Sequence, residues 1–189
     1  RRGGSAVGVT EGDRPPAKTV VYAESLGGSS VARPGRFKLA QQNKSFGPRI
    51  LAVPVGSTVD FPNLDPIFHN VFSLSRPGSF DLGLYRAGAS KSRVLSEPTT
   101  YRVFCNIHPQ MMAVILVLPS SFIAELDGAG SYHFDLPPGR YRVAAWSERA
   151  PGVTAEVTVA DAPSTVPELT LDESKYVELP HKNKFGQDY

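Results

Sequence analysis

Three observations predict an all-β chain. Apolar residues gather in runs of only a few positions, seventeen glycines and seventeen prolines punctuate the 189 residues, and no stretch carries the 3.6-residue apolar period of a helix. The predicted strands cover 17–23, 37–41, 50–55, 58–61, 68–74, 92–95, 99–105 and 112–118. Short strands at this density favour packed sheets with Greek-key connections. The run 112–118, Met-Ala-Val-Ile-Leu-Val-Leu, is continuously apolar rather than alternating, which is the pattern of a strand covered on both faces. After Pro119 a second series of hairpins follows: 122–126, a Gly-rich turn, 131–134, Pro137-Pro138-Gly139 and 140–146.

Composition narrows the function. A chain of this length can bury a full core, as one medium domain or two small ones. Its net charge is +2 and no basic run is interleaved with aromatics, so nucleic acid is not an expected partner. One cysteine cannot close an intramolecular disulfide, and cysteine usage therefore does not report the redox compartment. No stretch is long and apolar enough to span a bilayer, and Arg1-Arg2-Gly3-Gly4 lacks the apolar segment of an export signal. The sequence thus reads as a mature or truncated chain.

The residues that carry chemistry are Cys105-Asn106-Ile107-His108-Pro109-Gln110-Met111. They set a thiolate, an imidazole and a thioether at three-residue intervals between two strand-like stretches. A soft thiolate, two imidazoles and a weak axial thioether suit a mononuclear copper centre. A turn this short cannot surround a metal alone, so the second imidazole must come from a distant segment. His69, in Asp65-Pro66-Ile67-Phe68-His69-Asn70-Val71-Phe72, supplies it.

On these residues the chain resembles the cupredoxins, with a Cys-x-x-His-x-x-Met loop of the short amicyanin kind, over roughly 33–119. The resemblance implies a type 1 copper site with His69, Cys105, His108 and Met111 as ligands. Gln110 or a water remains an alternative fourth ligand. It also implies that the Asn70 N–H donates to the sulfur. Ile107, where related loops carry proline, keeps a second such donor. His108 would be the electron gateway, reaching a redox partner protein through an apolar collar of Pro66, Ile67 and Pro109. Periplasmic or secreted location follows from the resemblance alone.

The segments 6–26 and 127–141 resemble the opening and later halves of a carboxypeptidase-regulatory, transthyretin-like sandwich. The expected organisation is a cupredoxin domain at 34–119 inserted into a discontinuous smaller β-sandwich made of 1–33 with 120–172, followed by a polar tail at 173–189.

Other polar and aromatic residues have structural readings. Asn63 and Asp65 read as loop-turn residues, His133 as a hydrogen-bonded strand histidine, and Trp146 and Tyr141 as sandwich core. His181 falls in the tail, and 80–85 reads as support beside the ligand loop. Arg49 and Ser147 stand where proteins of this kind often carry histidines, which argues against a further metal site there. Two functions compete: a one-electron carrier, and a copper-binding or copper-delivery protein without redox turnover. No enzymatic role is expected, because four histidines are too few for a trinuclear cluster or a second three-histidine copper site. Zinc satisfies the same donors and would be an artefact of preparation.

Overall fold

The computed structural model describes residues 18–27, 32–124, 126, 130–160, 168–177 and 181–188, together with the backbone of 2–9. The start of the predicted 17–23 strand and the Gly-rich turn at 127–129 lie outside the described residues. Among the described residues all regular structure is β, and no helix is long and apolar enough to cross a membrane. The chain divides into two compact units, Arg1–Val31 with Ser120–Glu178, and Ala32–Pro119 with Leu179–Tyr189.

The first unit opens with β1 (Arg2–Val9) and β2 (Val20–Ser25). The second holds β3 (Arg36–Lys38), β4 (Ala40–Gln42), β5 (Ser45–Gly47), β6 (Ile50–Pro54), β7 (Ser57–Pro62), β8 (His69–Ser73), β9 (Phe80–Tyr85), β10 (Ser90–Leu95), β11 (Thr100–Phe104) and β12 (Met112–Leu118). The first unit resumes with β13 (Phe122–Ala124), β14 (Ser131–Phe134), β15 (Gly139–Trp146), β16 (Val153–Val159) and β17 (Leu169–Asp172).

In the second unit a five-stranded sheet, ordered β6-β12-β11-β8-β9, faces a three-stranded one, β10-β7-β3, and β4 and β5 form a hairpin. The core holds Val53, Val59, Phe61, Val71, Phe80, Leu95, Tyr101, Val103, Ile115 and Val117, joined by Cys105 and Met111. Strand β12 pairs antiparallel with β11 and parallel with β6. Its alternate residues Val114, Leu116 and Leu118 are buried as well as Ala113, Ile115 and Val117, as its unbroken apolar run requires.

The segment read as one strand at 37–41 is two. Strand β3 runs parallel to β7, whereas β4 pairs with β5, and the chain changes partners at Leu39. Leu39 is wholly buried and its N–H donates to the Asp60 carbonyl at 2.9 Å, so the break is anchored by both side chain and backbone. Gly78, at φ +97°, lies so close to the Tyr101 ring that any β-carbon would collide with it, which fixes glycine in the loop before β9.

In the first unit β2 is flanked by β13 and β15 in a sheet ordered β13-β2-β15-β16, and β1 lies between β14 and β17. Val21, Ala23, Tyr132, Phe134, Tyr141, Val143, Leu169 and Leu171 are core. Burial pushes the Tyr132 phenol up to about 12.

Candidate metal centre

His69 begins β8, Cys105 follows β11, and His108 lies in the turn that leads to Met111 and β12. The turn closes on itself, since the Met111 N–H donates to the His108 carbonyl at 3.0 Å and the Cys105 N–H to the Met111 carbonyl at 3.2 Å. Strand ends joined by so short a turn hold their side chains to a common point.

His69, Cys105 and His108 form the one group of metal-type ligands brought together among the described residues. His69 Nδ1 lies 3.1 Å from His108 Nδ1, and Cys105 Sγ lies 3.9 Å from His69 Nδ1 and 3.7 Å from His108 Nδ1. In a triangle with those sides the point equidistant from the three atoms is about 2.1 Å from each, inside the about 2.0–2.3 Å range of metal–imidazole and metal–thiolate bonds. The donor set therefore fits a metal ion. Its softness suits copper.

The rings of His69 and His108 meet edge to face at 4.8 Å between centroids. His69 and Cys105 are wholly buried and His108 is half-buried. Burial above all, with the neighbouring His69 ring and the Lys44 charge, holds His108 below the usual imidazole value, so the ring is neutral and ready to bind a cation at neutral pH.

Met111 is fully buried in the same core cluster as Cys105, whereas Gln110 is exposed. Strand alternation turns Met112 to the other side, where its thioether lies 3.0 Å from Arg49 Nη1.

The side chain behind His69 is Asp65. Its carboxylate accepts from His69 Nε2 at 2.7 Å, and from the backbone N–H groups of Asn43 at 2.6 Å and Lys44 at 2.9 Å. Burial opposes its charge, yet the hydrogen bonds from Lys44, His69 and Asn43 outweigh it and hold the carboxyl below its usual range. An ionised carboxylate only accepts, so Nε2 donates to it, and Nδ1 is the ring nitrogen that faces Cys105 and His108.

Asn43 and Lys44 are the two turn residues of the β4–β5 hairpin, with φ of +54° and +52°. That conformation is costly for non-glycine residues, and it aims both N–H groups at Asp65. The loop between β7 and β8 is held in turn by Asn63, whose side chain donates to the Ile67 carbonyl at 2.8 Å and the Tyr85 carbonyl at 3.3 Å. Tyr85 donates to the Phe61 carbonyl at 2.8 Å and accepts from Gln41 in a buried network beneath β8, and burial raises its phenol pKa.

Reading Asp65 as a turn residue thus captured half of what it does. The Asp-x-x-x-His spacing was the available signal for the other half. Of the predicted collar, Pro66 and Pro109 are exposed and Ile67 is half-buried. Leu64 (55% exposed), Phe68 (54%) and Ile107 (47%) are large apolar side chains on the same segments, and Leu84 (55%) lies on β9 opposite Asn70; none is named in the collar the resemblance implies.

Comparison with known proteins finds no matching family model and no matching curated protein. Solved structures do match. A purple cupredoxin from Nitrosopumilus maritimus is 24% identical, with a TM-score of 0.38, over 42% of this chain and 97% of that one. A reduced amicyanin variant is 21% identical, with a TM-score of 0.41, over 51% of this chain and 98% of that one. A copper-containing nitrite reductase from Thermus scotoductus is 23% identical, with a TM-score of 0.41, over 59% of this chain but 28% of that one. Each similarity extends over part of this chain, 42% to 59% of it in these three.

Proposed function

We propose that the chain is a type 1 copper protein that binds one copper ion through His69, Cys105 and His108, with Met111 as the axial thioether, and carries single electrons between redox partners outside the cytoplasm. The carrying observation is the triangle of the Cys105 sulfur and the His69 and His108 imidazoles, the first two wholly buried, with its single central point. Copper would supply the one-electron couple. The protein's part is to keep the donors still: Asp65 fixes the tautomer and plane of His69, the closed turn fixes Cys105 against Met111, and burial excludes water from the thiolate. Ligands that need not move on electron transfer reduce the reorganisation cost. A delivery protein favours an exposed, exchangeable site, and the burial of Cys105 and His69 weighs against that role.

The half-buried His108, with Ile107, Phe68 and Leu84 exposed nearby in sequence and sheet register, gives the route by which a partner would approach. Apolar contact of limited area suits transient exchange. We read the first unit as the transthyretin-like module and assign it no chemistry.

The test is spectroscopic. Copper(II)-reconstituted protein should show an intense visible thiolate-to-copper band and a narrow copper hyperfine splitting in EPR, and Cys105→Ser should abolish both. Wild-type protein that binds copper and stays colourless under oxidising conditions would refute the proposal. Electron exchange with a small redox partner, set against copper loss to a chelator, separates carrier from delivery protein.

A further inference from the structure

The last described segment of the second unit, 181–188, is a tight turn built around Asn183. The Asn183 Oδ1 accepts from the N–H groups of Phe185 at 2.9 Å and Gln187 at 3.1 Å, while its backbone N–H donates to the Gln187 carbonyl at 2.9 Å. Gly186, at φ +79°, donates to the Asn183 carbonyl at 3.0 Å and lets the chain reverse. Such a turn holds its shape without help from a sheet.

What it touches is specific. The Lys184 N–H donates to Asn106 Oδ1 at 3.0 Å, one residue after Cys105. Lys184 Nζ donates to Asp81 Oδ2 at 2.8 Å, and the other oxygen of Asp81 accepts from the Asn70 side chain at 2.8 Å, one residue after His69. Asp81 also accepts from the Gly83 N–H at 2.8 Å, so the carboxylate is fixed on β9. His181 stacks on Phe104, one residue before Cys105, at 4.5 Å and 20° between planes, and its ring is hydrogen-bonded to the Pro109 carbonyl, one residue after His108. The turn therefore reaches a sequence neighbour of each of the three clustered donors.

We propose that the 181–188 turn is a clasp on the metal-binding loop, with Lys184 and His181 as positioning residues that hold the ligand-bearing segments together before any metal is bound. The naming of His69, Cys105 and His108 as ligands rests on the proposed function, whereas the mechanical claim does not. The β11–β12 loop is closed by its own turn hydrogen bonds and by the contacts of Cys105 and His108 with His69, and opening is what lets a buried sulfur meet or lose a cation. An ammonium–carboxylate bond and a bond to Asn106, applied from outside the loop, keep it shut.

Backbone amide hydrogen exchange on the metal-free full chain tests this directly. Lys184→Met, which loses the Asp81 bond, should speed exchange of the amides of 104–111 by about tenfold and leave the interior amides of β6 and β12 unchanged. Asn183→Ala, which unties the turn from within, should do the same. Lys184→Arg should restore protection. In copper(II)-loaded protein Lys184→Met should also shift the EPR hyperfine pattern, a readout that general destabilisation does not move. Loop exchange within about twofold of wild type in both weakened variants overturns the clasp, as does a rise spread evenly over the strands of the unit. Colourless reconstituted protein that still shows the loop-specific rise would refute the copper reading and leave the clasp standing.

Discussion

At the level of single side chains, the centre depends on groups that never touch the metal position. Asp65 is the strongest case, because it converts a strained two-residue turn and a buried histidine into one rigid unit. Asp65→Asn keeps the shape but loses the negative charge that favours a proton on His69 Nε2, and its amide can present a donor where an acceptor is required. Copper affinity, read by chelator competition, should fall about 10–100-fold, with the fold intact by circular dichroism. The clustered donors themselves were legible in the sequence because few residue types bind soft metals, and two of the three, Cys105 and His108, fell with Met111 in one seven-residue stretch. Asp65 read as a turn former, with only the Asp-x-x-x-His spacing to signal its bond to His69, and its donors at 43 and 44 are some twenty residues away, where no local pattern connects them. Lys184 was further from view. Its partners Asn106 and Asp81 are separated from it by 78 and 103 positions.

Elements were readable where one physical signal dominated. The unbroken apolar run of β12 announced a strand buried on both faces, and it sits second in its sheet with partners on either side. Ile115, wholly buried among the core residues, has no room to be replaced by a smaller group without leaving a void. Ile115→Ala should cost about 2–5 kcal/mol in denaturant unfolding, while Val94→Ala, at a site 55% exposed on β10, should stay within about 0.5 kcal/mol. Where two signals competed, the pattern misled. Residues 37–41 look like one strand because no glycine or proline interrupts Phe-Lys-Leu-Ala-Gln, and only the pairing of β3 with β7 and of β4 with β5 shows that the chain changes sheets there. Strand β9 carries Gly83 at φ +69° and a register shift opposite Asn70 and Phe72, so its pattern is not that of a regular strand.

For the molecule as a whole, the dominant fact is that one unit is assembled from both sides of the other in sequence. Strand β2 lies inside its sheet, hydrogen-bonded to β13 over Val21–Ala23 and to β15 over Val20–Ser25. Loss of the first 27 residues would therefore remove an interior strand, and limited proteolysis that releases them should abolish amide protection throughout β13–β17. Retained order in 120–172 would show that those hairpins stand alone. The same arrangement sets a schedule for biosynthesis. A ribosome adding about 5–20 residues per second delivers β2 and then, on the order of ten seconds later, the β15 edge it must join. During that interval Val20-Val21-Tyr22-Ala23 is an apolar ribbon with both backbone rims unclaimed, the kind of segment that recruits chaperones or neighbouring nascent chains. Expression yield should accordingly respond to translation speed across residues 32–119 more than to the strength of the metal site that those residues encode.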